Sequence, residues 1–222
     1  MKWLLSISKK IIINFHNQRN CKMPQLILFN KPYGVLTQFT GELPDQTLSA
    51  FIKFPGFYAA GRLDKHSEGL LILTEDGKLQ HRLTHPKFDK KKYYWVQVEG
   101  VPTDKELQPL RKGLAIKDIA FLPAEAQIIA EPKVWPRIPP IRERKNIPTT
   151  WLEIILKEGK NHQIRKMTAA IGFPTLRLIR HRIGDWQLDQ LQPGEYRLIH
   201  FTNDKLNEST RTNRPRLGSR AK

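Results

Sequence analysis

Acidic residues are scarce in this chain: 21 Asp and Glu stand against 38 Lys and Arg, a formal net charge of +17. That balance makes a polyanion the first partner to expect. Cysteine is almost missing as well. Cys21 is the only one, so no intrachain disulfide can form and a reducing cytoplasm is the expected setting. A lone cysteine and scattered histidines without a C-x-x-C spacing argue against a zinc site. Phosphate-binding glycine loops are absent too, which sets aside the common nucleotide-cofactor classes. No apolar run approaches the roughly 20 residues that span a bilayer, so a membrane is not the expected partner. Met1–Ser8 imitates a leader, but Lys9 and Lys10 break its apolar run and no small-residue cleavage site follows.

What is present is basic charge in every part of the chain. Residues 1–24 carry five Lys or Arg and no acid, and residues 203–222 carry six basic and two acidic residues. The body between them keeps +8, so the folded part is itself basic and nucleic acid is the fitting partner. Residues 1–22 read as a basic extension, with Met23 a second candidate start, and 23–202 as one folded domain. From Asn203 onward only two leucines remain apolar, so 203–222 read as a disordered basic tail. At 222 residues there is enough chain for one core and two lobes.

The stretch Gly61-Arg62-Leu63-Asp64-Lys65-His66-Ser67-Glu68-Gly69 leads into Leu70–Thr74, an apolar run of buried-strand length. Gly61 and Gly69 bracket a polar loop where the backbone must turn sharply or be approached closely. Asp64 is therefore displayed on a loop held by a rigid strand, which suits a reactive carboxylate as well as an ordinary turn residue.

Along the chain, Leu26–Phe29 reads as a strand entering a turn at Asn30–Gly34. Asp45 is placed to cap a short helix through Leu48 and Ile52, ended by Pro55. Asp76-Gly77 opens a helix carrying Leu79 and Leu83, stopped before Pro86. Tyr94–Glu99 alternates as a half-buried strand, with Tyr94, Val96 and Val98 on one face. Thr103 and Glu106 form a capping box for a helix that Pro109 should kink and Gly113 should end. Trp151–Leu156, Thr175–Ile179 and Tyr196–Ile199 are further strands. Asn161 is placed to cap a helix to Ala170, closed by Gly172, with Ile164, Met167, Thr168 and Ile171 on its buried stripe. His162 and Arg165 lie near its N-terminus on neighbouring faces. The mix predicts an α+β fold rather than regular βαβ winding.

Residues 131–150 differ in kind, with five prolines, one tryptophan, five Lys or Arg and two acids. They form either a plain solvated connection or an RNA-reading loop in which Trp135 stacks on bases beside Arg137, Arg142 and Arg144. In the plain reading Trp135 packs into the core.

Four separated stretches together carry a resemblance. They are Phe29-Asn30-Lys31-Pro32-Tyr33-Gly34; Gly61-Arg62-Leu63-Asp64 with Glu68-Gly69-Leu70-Leu71; Lys92-x-Tyr94-x-Val96-x-Val98-x-Gly100; and Glu158-Gly159-Lys160-Asn161-His162-Gln163-Ile164-Arg165-Lys166-Met167. In order and spacing they resemble the ribosomal RNA pseudouridine synthases, over residues 25 to about 200. The proline-rich loop resembles the members acting on the large ribosomal subunit. Lys160 and Lys166 stand where the family usually has arginine, and His66 stands where an acid is common. Residues 1–22 are too short for the extra RNA-binding domain that many relatives carry.

The resemblance implies a two-lobed catalytic domain around a bent, mostly antiparallel sheet, with an RNA cleft across it. It implies isomerisation of uridine to pseudouridine in 23S ribosomal RNA by a monomer, without metal or cofactor. Asp64 matches the essential carboxylate, Arg165 its partner cation, and Tyr94 the residue under the flipped uracil. Ile164 would pack on the other side of the base. Arg62 would either fill the vacated space or bind phosphate, and His162 would contact RNA. A non-enzymatic RNA-binding or ribosome-assembly protein would share the charge but not need Asp64, Tyr94 and Arg165 together. A metal-dependent nuclease would need clustered carboxylates that the sequence does not present.

Overall fold

The computed structural model describes residues 25–141, 144 and 146–200; the basic extension at 1–22 and the tail at 203–222 lie outside the described residues. Strand β1 (Gln25–Lys31) is buried on both sides, which is why its apolar residues run without interruption. Leu26 and Leu28 join one core cluster, and Ile27 and Phe29 join another. Antiparallel neighbours flank it, β3 (Glu68–Thr74) on one side and β11 (Tyr196–His200) on the other. Strand β3 is also buried along its whole length, and β2 (Tyr58–Ala59) pairs with its far end.

The other half of the sheet alternates instead. In β4 (Lys92–Glu99), Tyr94, Val96 and Val98 enter a core shared with Leu152, Ile154 and Leu156 of β8 (Thr149–Leu156). Strands β7 (Glu125–Ile129) and β9 (Thr175–Ile183) flank this pair, and β10 (Trp186–Gln187) folds back on β9. The strand order is β11-β1-β3-β9-β4-β8-β7, with β5 (Leu114–Ile116) and β6 (Ile119–Phe121) forming a separate hairpin. Among the described residues there are three α-helices: α1 (Gly77–Thr84), α2 (Gln108–Lys112) and α3 (Gln163–Ala170). This is the expected α+β arrangement on a mostly antiparallel sheet.

The two halves meet at one short parallel seam, where Glu68 and Gly69 of β3 face Ile179 and Arg180 of β9. Gly69 has φ +105°, and a Cβ there would lie 2.3 Å from the Arg180 carbonyl oxygen. Only glycine admits that approach. The Asp64 turn precedes the seam directly, so it rests on the join between the two halves.

Several local expectations hold. Asp76 caps α1 by accepting from the N–H groups of Lys78 and Leu79, and Leu79 and Leu83 are its buried residues. The Thr103–Glu106 box closes, with the Thr103 N–H donating to Glu106 Oε2 at 2.7 Å, but it heads a turn and does not cap α2, which starts after Leu107 with no side-chain cap bond. Others need correction. Asp45 caps nothing: it lies inside a 3-10 turn, Pro44–Gln46, followed by a second, Leu48–Ala50. Pro109 does not kink a helix, because α2 starts at Gln108 and proline is at home in a first turn. Asn161 is not the cap of α3; His162 takes that place with left-handed backbone, φ 51°. Strand β9 runs four residues past Ile179, through Arg180, His181 and Arg182, whose polarity hid it.

Candidate active site

Asp64 is held from both sides by its own turn. The Thr37 hydroxyl donates to the Leu63 carbonyl at 2.6 Å and accepts from the Leu63 N–H at 3.2 Å. After the aspartate, the Ser67 N–H closes back on the Asp64 carbonyl at 3.0 Å, and the Gly34 N–H binds the Lys65 carbonyl at 2.9 Å. The carboxylate itself stays about one-third exposed, at 34%. A rigid backbone thus presents a reachable carboxylate.

The cap and the first turn of α3 place two side chains near it. Glu158 Oε1 accepts from the Gln163 side chain at 2.7 Å and from the Leu122 N–H at 2.8 Å, which fixes the turn before the helix. Gln163 in turn accepts from the Lys160 N–H. This brace puts His162 in its left-handed conformation, with Nδ1 3.2 Å from Asp64 Oδ2. Three residues on, Arg165 donates to the His66 carbonyl at 2.7 Å and to the Thr175 carbonyl at 3.1 Å. Burial pulls the Arg165 pKa down; the charges of Asp64 and Tyr33 pull it up, and that of Arg137 pulls it down again. A guanidinium remains charged throughout, so Arg165 is a fixed positive charge beside the carboxylate.

An apolar wall stands next to these groups. Leu63, the residue before Asp64, shares one buried cluster with Tyr94 and Ile164, which are 8% and 3% exposed. On another side, the Tyr33 ring stacks on His66 with centroids 5.4 Å apart, and the Arg137 guanidinium lies 4.5 Å over Tyr33. Arg137 also donates to the Pro139 and Pro140 carbonyls within its own loop. Arg62 is exposed beside Asp64, with its carbonyl toward Arg180 Nη1.

The structure therefore brings His162 and Arg165 to Asp64 and, through Tyr33 and His66, Arg137 to the same turn. Tyr94 and Ile164 lie in the buried cluster of Leu63, and Arg62 is exposed two residues before Asp64. Trp135 is placed differently from the base-stacking expectation. Its indole N–H donates to Glu68 Oε2 at 2.8 Å and its ring packs against a core cluster, so the plain reading describes it. Arg144 is exposed and paired with Glu99 at 2.8 Å, and Arg142 lies outside the described residues.

Sequence reasoning missed a layer of buried charge beneath the turn. Glu68, 2% exposed, receives Nε and Nη2 of Arg177 at 2.9 Å each. Arg180, 3% exposed, donates to the Leu70 carbonyl. Lys31 is fully buried and donates to the Pro32 and Val35 carbonyls, with its pKa lowered to about 7 by desolvation. The signal was available: charged residues inside otherwise apolar strands need partners. His81 and His85 do stand four residues apart, with rings 4.8 Å from one another. Among the described residues no group of three or more His, Cys, Asp or Glu could hold a metal ion. No helix among them is long and apolar enough to cross a membrane.

Residues 25–170 match the family described as RNA pseudouridylate synthase. The protein of Vibrio vulnificus called ribosomal large subunit pseudouridine synthase E is 55% identical over 175 residues, 79% of this chain and 75% of that protein. The protein of the same name from Xanthomonas axonopodis pv. citri is 52% identical over 189 residues, 84% of this chain and 100% of that one. A crystal structure of a pseudouridylate synthase superposes with a TM-score of 0.67 at 27% identity, covering 84% of this chain and 74% of its own.

Proposed function

Given that this chain belongs to the family of RNA pseudouridylate synthases, enzymes that isomerise uridine, we propose that its substrate is a uridine of large-subunit, 23S ribosomal RNA and that Asp64 is its catalytic carboxylate. The relatives named for that subunit support the substrate. The convergence of Asp64, His162 and Arg165 from distant parts of the chain is the observation that carries the site.

The reaction breaks the bond between N1 of the base and C1′ of the sugar and forms one between C5 and C1′. C5 loses its proton and N1 gains one, so atoms balance without an oxidant or a second substrate. Asp64 attacks the sugar or the base. Arg165 stabilises the carboxylate as an anion in a site that the bound RNA dries. Tyr94 lies under the flipped uracil and Ile164 packs on its other face, once the base has left its stack at a cost of a few kcal/mol. Arg62 fills the gap or holds a phosphate, and His162 contacts the RNA beside Asp64.

Affinity rests on the basic body of the domain, residues 23–202, which acts as a monomer in the cytoplasm. Phosphate contacts alone carry no sequence information, so the choice of uridine falls to the loop bearing Arg137, Arg142 and Arg144. Pseudouridine mapping of ribosomal RNA from cells lacking the protein tests the assignment. Loss of one large-subunit pseudouridine is expected; an unchanged map would leave an RNA-binding protein without this activity.

A further inference from the structure

The buried Glu68–Arg177 pair makes four hydrogen bonds, and two of them belong to Trp135. Arg177 donates twice to Glu68 and once, at 2.9 Å, to the Trp135 carbonyl; the Trp135 indole donates to Glu68. Those two Trp135 bonds are the hydrogen bonds tying residues 131–140 to the rest of the described fold. This stretch has no strand partner, and its other side-chain bonds, from Arg137, stay inside it. Two residues beyond Trp135, the Arg137 guanidinium covers Tyr33, whose other neighbour is His66 of the Asp64 turn. Glu68 itself starts the strand that follows that turn.

We propose that Glu68, Arg177 and Trp135 are positioning residues: one buried ion pair registers the proline-rich loop on the strand carrying the Asp64 turn, and so sets Arg137 against the site. A charge pair between the ends of β3 and β9 would need only Glu68 and Arg177. The additional use of both the backbone and the side chain of Trp135 points to the loop as what is being held. The prolines restrict the loop's own freedom, so fixing one residue fixes Arg137 nearby. The inference rests on the proposed role of Asp64 but makes a separate claim about coupling.

The test is a double-mutant cycle. Trp135→Phe keeps the ring and removes the N–H donor, and Arg137→Ala removes what the clasp delivers. Single-turnover rate constants and RNA affinities are measured for both variants and their combination, with melting temperatures alongside. Each single change is expected to lower the rate-to-Kd ratio by about tenfold, and the pair by about the same tenfold rather than a hundredfold. Independent, multiplying losses would overturn the proposal. So would wild-type modification by Trp135→Phe, or a melting shift with unchanged turnover per folded enzyme. Asp64→Asn tests the other reading by itself: activity there would remove Asp64 from catalysis, while coupling between positions 135 and 137 would still be read from RNA affinity.

Discussion

His162 Nδ1 lies 3.2 Å from Asp64 Oδ2, and the contact exists because His162 holds a left-handed backbone at the start of α3. A non-glycine residue at positive φ is uncommon and needs an environment that enforces it. Here the Glu158–Gln163 brace enforces it, and the result is an imidazole aimed at the carboxylate.

His162→Gly separates these roles. Glycine adopts the same backbone without a steric penalty, so the melting temperature should hold or rise. The single-turnover rate should fall by about tenfold, the scale of one lost charge-assisted contact. Equal activity with a higher melting temperature would make His162 a structural cap.

Gly69→Ala addresses the seam. The new methyl carbon would meet the Arg180 carbonyl oxygen at 2.3 Å, in a backbone conformation that alanine resists. A loss of more than about 3 kcal/mol is expected in denaturant melts. A loss below about 1 kcal/mol would mean that the two strands part easily, contrary to the rigid support assigned to the Asp64 turn.

Lys31 sets a pH dependence. Its pKa in the folded protein, about 7, is below the ordinary 10.5 because burial disfavours the ammonium. Between those values the unfolded chain binds more protons, so this group's contribution to stability rises with pH from about 7 to about 10.5. Comparing wild type with Lys31→Met, the difference in melting temperature should shift in favour of wild type between pH 6 and pH 9. A constant difference would contradict the assignment.

Arg144 is expected to matter to RNA and little to folding. Its pair with Glu99 is solvent-exposed on the arginine side, so Arg144→Ala should cost no more than about 1 kcal/mol. Modification of full-length ribosomal RNA should nonetheless slow several-fold, by about one phosphate or base contact. A melting change larger than the change in modification would assign the loop to bracing alone.

Much of the site could be read from the sequence because its residues sit in runs with strong local patterns. Asp64 lay between two glycines before an apolar run, and both glycines do take positive φ. Tyr94 was marked by alternation, which survives in its burial. What escaped were effects of pairing across the chain. The extent of β9 past Ile179 was hidden because Arg180, His181 and Arg182 look like surface residues until the Leu70 carbonyl is placed beside Arg180. Trp135 invited two readings because an indole serves equally as a stacking face or as a buried donor; only the position of Glu68 decides. The shift of the α3 cap from Asn161 to His162 depends on Gln163 reaching back to Glu158 and Lys160, which residue preferences at the cap do not contain.

If Asp64 carries the chemistry, the release of the proton from C5 of the target uridine reports it most directly. With RNA labelled by tritium at C5, wild-type enzyme should release label in a single turnover. Asp64→Asn keeps the shape of the side chain and removes its charge. It should release none above background while binding the same RNA to within a few-fold, since affinity comes mainly from basic groups elsewhere. Release by Asp64→Asn at a rate near that of wild type would contradict the account.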